Sequence, residues 1–111
     1  MSTQDILERL YNVVLSRRGG DTEKSYVAKR LQQGTAKIAQ KVGEEAVETV
    51  IAAMEKNKKE IIGESADLIF HWLMLLVDSG VKLEEVIAEL ERREGVSGLD
   101  EKAIRKMKKE G

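Results

Sequence analysis

The chain has 111 residues, which suits a single domain with a modest core. Apolar residues make up 41% of it, too many for a disordered chain, and a net charge of −1 gives no long-range attraction to nucleic acid. Because cysteine is absent, thiolate metal sites are excluded, and any metal must be bound by oxygen atoms or by the lone histidine, His71.

Helix signals follow one another along the chain. The predicted helices cover residues of about 3–16, 23–33, 36–56, 59–78 and 83–93. Ser2 or Thr3 is positioned to cap the first helix, and Thr35 is a plausible cap for the third. Gly34 closes the second helix, and Gly80 suits a left-handed end of the fourth. Since no segment alternates between polar and apolar residues, we expect no sheet.

The whole chain, 1–111, is predicted to form one domain, with 95–111 as a flexible joint and charged tail. Helix 59–78 is apolar on nearly every side, and a small domain has difficulty covering such a helix, so we expect a homodimer. No apolar run approaches the roughly 18 residues that a membrane span needs. The N-terminus is unlike a secretory signal, so a cytoplasmic protein is expected.

Charged side chains gather on one side of the predicted helix 36–56. At ~100° per residue, the members of a sector about 100° wide are Lys37, Lys41, Glu44, Glu45 and Glu48. Carboxylates on adjacent turns repel one another, and the repulsion grows when they are partly buried. A positive charge close to these three glutamates would relieve their repulsion.

A second acidic stripe interrupts the apolar helix 59–78. Glu64 and Asp67 are three residues apart and therefore point the same way, with His71 one turn further on. Because a very short turn joins this helix to the preceding one, the two must be antiparallel neighbours. The two acidic stripes can therefore face each other inside the bundle.

Carboxylates that converge in a low-dielectric environment need a counter-ion, and a hard divalent cation suits an oxygen-only donor set. Zinc is disfavoured with one histidine and no cysteine. Iron is disfavoured because carboxylate di-iron bundles use a Glu-x-x-His pair from each of two helices. The pattern predicts a site for Mg²⁺.

Each of these features also has an ordinary structural interpretation. Either acidic string alone is common on a solvated helix face, and the pair is informative because the second string lies on a core helix. His71 alone is more often a core histidine than a ligand. Lys37 and Lys41 suit either ion pairs with neighbouring carboxylates or phosphate binding.

Several strings resemble the phosphoribosyl-ATP pyrophosphatase family of histidine biosynthesis. They are Ser25-Tyr26-Val27-Ala28, Gly34-Thr35, Lys41-Val42-Gly43-Glu44-Glu45-Ala46-Val47-Glu48, and Glu64-Ser65-Ala66-Asp67 followed by His71. The Glu-Glu-x-x-Glu and Glu-x-x-Asp pair is shared with the wider MazG-like all-α nucleotide pyrophosphohydrolases. The resemblance implies an all-α, MazG-like bundle of antiparallel long helices that is completed by homodimerisation.

The resemblance also implies the reaction, in which phosphoribosyl-ATP and water give phosphoribosyl-AMP and pyrophosphate with the help of magnesium. The implied metal ligands are Glu45, Glu48, Glu64 and Asp67. Candidates for a direct catalytic role are Glu44, Glu45 and Glu48, and Glu44 would ligate a second ion or orient water. Candidates for contacts with phosphate or ribose are Lys41, Lys37, Ser25, Tyr26 and His71.

One position departs from the family pattern, because Phe70 stands where the family usually has tyrosine. If the hydroxyl of the family's tyrosine packs in the core, its loss changes little. If that hydroxyl contacts substrate, the affinity for substrate differs. Two alternatives stay open. One is a pyrophosphatase of the same fold for other nucleoside triphosphates, and the other is a non-catalytic helical interaction module with solvated acidic stripes.

Overall fold

A computed structural model describes residues 2–94 and 105–106. In that part of the chain the regular secondary structure is all helix, with turns between the helices. The elements are α1 (Thr3–Ser16), α2 (Tyr26–Gln33), α3 (Thr35–Met54), α4 (Lys58–Ser79) and α5 (Leu83–Glu94). The all-α prediction is confirmed. The predicted joint and most of the predicted tail lie outside the described residues.

The first helix begins as its sequence predicts, with a reciprocal cap. The Ser2 hydroxyl accepts a hydrogen bond from the backbone N–H of Asp5 at 3.1 Å, and the Asp5 carboxylate accepts one from the Ser2 N–H at 3.3 Å. This capping box satisfies two backbone donors that the first turn of a helix leaves without intrahelical partners.

The second helix begins at Tyr26, so the predicted start at Glu23 is wrong. The Asp21 carboxylate accepts a hydrogen bond from the Glu23 N–H at 2.9 Å, and the Asp21 carbonyl accepts one from the Ser25 N–H at 3.0 Å. These bonds close a turn ahead of the helix. Ser25 then serves as the cap, because its hydroxyl accepts a hydrogen bond from the Ala28 N–H at 3.1 Å.

Gly34 alone joins α2 to α3, and the prediction that Thr35 caps α3 is wrong. Gly34 has a φ of 93°, a conformation that glycine adopts without the steric cost of a side chain. Thr35 is already helical. Its hydroxyl donates a hydrogen bond to the Asp78 carboxylate at 2.6 Å, which ties the start of α3 to the end of α4.

The turn between α3 and α4 is as short as predicted and makes the two helices antiparallel neighbours. Helix α3 ends at Met54, two residues before its predicted end, because Lys56 adopts a left-handed φ of 59°. Asn57 caps α4, since its side-chain oxygen accepts a hydrogen bond from the Glu60 N–H at 3.1 Å. The paired helices bring their acidic stripes to comparable levels.

The core lies around the C-terminal half of α4. Its buried members are Val14, Val27, Ile38, Leu73, Met74, Leu76, Val77 and Leu83. The start of α4 is different, because Ile62 remains 71% exposed within a single chain. Among the helices that the structure describes, none is long and apolar enough to cross a membrane.

Leu73→Ala should lower the free energy of unfolding by about 2–5 kcal/mol, because Leu73 is fully buried and its loss leaves a cavity. Urea denaturation of the two proteins measures the difference. Leu15→Ala is the matched control, since Leu15 is 46% exposed and its truncation should cost far less. Equal losses in both variants would contradict the placement of the core.

Candidate active site

Three carboxylates converge between α3 and α4. Oxygens of Glu45 and Glu48 on α3 and of Glu64 on α4 lie within 4.8 Å of one another. Glu45 is buried, Glu64 is half-buried and Glu48 is exposed, so the group opens to solvent on one side. One oxygen of Glu45 and one of Glu64 are buried without a hydrogen-bond partner among the described residues. Unsatisfied buried carboxylate oxygens are suited to bind a cation.

Asp67 lies beside this group on α4. It is exposed, one helical turn beyond Glu64, and its charge is close enough to Glu45 to affect the pKa of that carboxyl. The structure therefore places three of the four expected ligands in one tight group and the fourth at its edge. Glu45, Glu48 and Glu64 are close enough together to hold one metal ion.

Glu44 lies outside the group of three carboxylates, although it is the neighbour of Glu45 in the sequence. Consecutive residues are separated by about 100° around a helix, and here Glu45 is buried whereas Glu44 is exposed. The Glu44 carboxylate accepts hydrogen bonds from the Gln40 amide at 2.7 Å and from the Lys41 ammonium at 3.2 Å. Lys37 is a further positive charge near it.

Two carboxyl groups between the helices, those of Glu45 and Glu64, have raised pKa values, whereas the pKa of Glu44 is lowered. A hydrogen bond shared with Glu48, together with burial, raises the pKa of Glu64 from 4.5 to about 7. Burial and the nearby charge of Glu48 raise the pKa of Glu45. Hydrogen bonds from Gln40 and Lys41 instead lower the pKa of Glu44. The inner group therefore favours a proton or a cation, whereas Glu44 keeps its own negative charge.

His71 is buried and links the site to α2. Its Nδ1 lies 2.8 Å from the carbonyl oxygen of Asp67, which can only accept, so Nδ1 carries the proton. In the neutral ring Nε2 then accepts a hydrogen bond from the Tyr26 hydroxyl at 2.9 Å. The two rings meet edge to face, with centroids 5.9 Å apart. His71, on α4, thus orients the hydroxyl of Tyr26, on α2.

Arg30 is a neighbour of the site that the sequence interpretation missed. Its guanidinium carbon lies 4.8 Å from the centroid of the Tyr26 ring, within the range of a cation–π contact. The available signal was the spacing, because Tyr26 and Arg30 are four residues apart and share one face of α2. Ser25 contributes the cap of that helix, and no contact of its side chain with the carboxylates is seen among the described residues.

Phe70, the position that departs from the family pattern, packs against the core cluster. Its ring also meets His71 edge to face, with centroids 6.0 Å apart. The residue therefore supports the histidine by packing alone, because its ring carries no polar atom.

The antiparallel helices and the carboxylates between them give the chain the architecture of the MazG-like all-α nucleotide pyrophosphohydrolases. Residues 7–94 match the model of the family described as phosphoribosyl-ATP pyrophosphohydrolase. The chain belongs to this family. It is accordingly a hydrolase that acts on a pyrophosphate bond, which argues against a non-catalytic interaction module.

Individual relatives agree with the family model. A protein of Paramagnetospirillum magneticum is 56% identical over 93% of this chain and 94% of its own length. One of Erythrobacter litoralis is 57% identical over 89% of this chain and 95% of its own. One of Novosphingobium aromaticivorans is 56% identical over 95% of this chain and 98% of its own. Each of the three carries the name phosphoribosyl-ATP pyrophosphatase.

The raised pKa of Glu64 predicts how the metal-free protein responds to pH. Between 4.5 and about 7 the folded protein binds more protons than the unfolded chain, so its free energy of unfolding falls as pH rises through this interval. Glu64→Gln should flatten the dependence. Urea denaturation in a chelator across this range measures it.

Glu91→Gln on the exposed face of α5 is the control for that experiment. It should leave the pH dependence as it is in the unchanged protein. A dependence as steep in Glu64→Gln as in the unchanged protein would show that Glu64 does not share a proton with Glu48.

Proposed function

We propose that this chain binds Mg²⁺ through Glu45, Glu48, Glu64 and Asp67 and hydrolyses phosphoribosyl-ATP to phosphoribosyl-AMP and pyrophosphate in the cytoplasm. This reaction is the second step of histidine biosynthesis. The observation that carries the metal assignment is the pair of buried carboxylate oxygens without partners, one on Glu45 and one on Glu64. An oxygen-only set of this kind suits magnesium.

Bound Mg²⁺ would neutralise phosphate charge and polarise the phosphoanhydride bond. The protein's own part is to hold the acidic groups at fixed positions. Glu45 and Glu64 are anchored on two different helices, and the exposed Glu48 between them remains accessible to water. Glu48 is thus the member of the group best placed to orient the attacking water.

Glu44 supports a different step. Because hydrogen bonds from Gln40 and Lys41 lower its pKa, this carboxylate is ionised at neutral pH and can accept a hydrogen bond from water at the mouth of the site. Glu44 is the exposed partner of Lys41, and an ion pair that is open to solvent is weak, so an incoming phosphate can replace Glu44 on the ammonium group. Lys37 adds positive charge on the same side.

Glu48→Gln should reduce the rate of pyrophosphate release from phosphoribosyl-ATP by about 100-fold or more, because the amide cannot serve as an anionic ligand or orient water as a carboxylate does. Glu64→Gln should behave similarly. Circular dichroism should show an unchanged helix content, since removal of a like charge from the group does not weaken the metal-free fold.

The matched control for activity is again Glu91→Gln, which should turn over the substrate at the original rate. Ordinary deoxynucleoside triphosphates are assayed in parallel. Faster cleavage of one of them than of phosphoribosyl-ATP would overturn the substrate assignment.

We further propose that the chain is a homodimer. Large apolar side chains at helical spacing on α3 form an exposed stripe, which comprises Val47, Val50, Ile51 and Met54. Ile62, near the beginning of α4, adds to the exposed apolar surface of this helix pair. A second copy is the simplest cover for such a surface. Since the stripe adjoins Glu48 along α3, the partner would lie close to the carboxylate group.

Val50→Lys, in the middle of this stripe, should shift the protein toward the monomer, because burial of an unpaired charge in an apolar interface is unfavourable. Sedimentation velocity measures the shift. Ala88→Lys on the exposed side of α5 is the control and should leave the mass unchanged. A Val50→Lys protein with the original mass would place the interface elsewhere.

A further inference from the structure

Arg30 has a buried donor that the protein does not use. One guanidinium nitrogen, Nη1, donates a hydrogen bond to the Gln33 side chain at 2.8 Å. The Nε atom is buried and finds no acceptor among the described residues. A buried donor without an acceptor is unfavourable, and native proteins keep few of them. An acceptor supplied by a ligand would satisfy this nitrogen once the side chain turns to expose it.

The position of Arg30 is fixed by its neighbours. The guanidinium lies over the Tyr26 ring at 4.8 Å, and the Tyr26 hydroxyl is hydrogen-bonded to His71. His71 in turn donates to the backbone of Asp67. This series of contacts connects the guanidinium on α2 with the acidic stripe on α4. Arg30 is therefore linked, through Tyr26 and His71, to the helix that carries Glu64 and Asp67.

A second cation lies nearby. The positive charges of Lys41 on α3 and Arg30 on α2 oppose each other. The partner of Lys41 in the described residues is the exposed Glu44, at 3.2 Å. Lys41 and Arg30 repel each other, and Arg30 also has an unused donor. An anion that contacts both side chains would relieve the repulsion and accept from that donor. The guanidinium group is especially suited to a phosphate because it donates in a planar fork.

We propose that Arg30 and Lys41, together with the ring of Tyr26, form an anion subsite that binds a phosphate group of the substrate beside the metal-binding carboxylates. This inference rests on the proposed function, because phosphoribosyl-ATP supplies the phosphate. Two groups of that molecule have the required chemistry, namely the terminal phosphates of the triphosphate and the phosphate of the phosphoribosyl group. Either would accept hydrogen bonds from the Arg30 guanidinium.

The test measures binding of the reaction products and needs no turnover. Pyrophosphate, phosphoribosyl-AMP and AMP are each titrated by calorimetry into the protein in a magnesium buffer. Arg30→Met, which keeps the length of the side chain and removes its charge, should weaken binding of one of the first two by about tenfold or more, as expected for the loss of a charged hydrogen bond. Arg30→Lys should retain part of the affinity.

The pattern of losses identifies the phosphate. A loss confined to pyrophosphate assigns the subsite to the triphosphate end. A loss confined to phosphoribosyl-AMP, with AMP unaffected, assigns it to the phosphoribosyl phosphate. Unchanged binding of both products in Arg30→Met would overturn the proposal and leave Arg30 with a packing role against Tyr26.

Lys29→Met is the matched control, since Lys29 is the exposed cation next to Arg30 on α2. It should leave all three affinities unchanged, and an equal loss in this variant would also overturn the proposal. Failure of the proposed function has a different signature, because the unchanged enzyme would then not release pyrophosphate from phosphoribosyl-ATP. Thermal unfolding of each variant verifies that the fold is retained.

Discussion

The acidic site consists of carboxylates that repel one another, and the rest of the fold has to hold them together. Glu45, Glu48 and Glu64 bring their oxygens within 4.8 Å of one another in a partly buried place, and burial strengthens the repulsion between their charges. Folding supplies the compensating free energy from the apolar core around the end of α4, which includes the fully buried Leu73 and Met74. The acidic group is therefore positioned by packing elsewhere, and its chemistry remains available for a cation.

Around this group the positive charges lie on a separate surface. Lys41 and Arg30 come from two helices and their charges oppose each other, while the carboxylates face one another between α3 and α4. This separation of charge matches the needs of a phosphoanhydride substrate, whose oxygens bind cations at more than one point. His71 connects the two surfaces, because it contacts Tyr26 on one side and the backbone of Asp67 on the other.

Much of the fold and of the acidic site could be predicted because helical periodicity is a local property. The spacing of Glu45, Glu48 and Glu64, with a short turn between their helices, sufficed to place them together. The direction of Glu44 was harder to predict, since a sector of about 100° does not divide its inner from its outer half. In the structure its exposed carboxylate lies outside the group of three and accepts hydrogen bonds from Gln40 and Lys41.

The features that could not be predicted depend on partners distant in the sequence. Thr35 is of a residue type that often caps helices, but its hydroxyl instead donates a hydrogen bond to the Asp78 carboxylate. That bond, at one end of the α3–α4 pair, and the tight turn around Lys56 at the other restrain sliding of one helix along the other. Since the expected ligands come from both helices, a restrained pair keeps their oxygens at a constant separation. A constant separation favours ions of one radius over another, so the cage that we propose would favour the smaller magnesium ion over calcium.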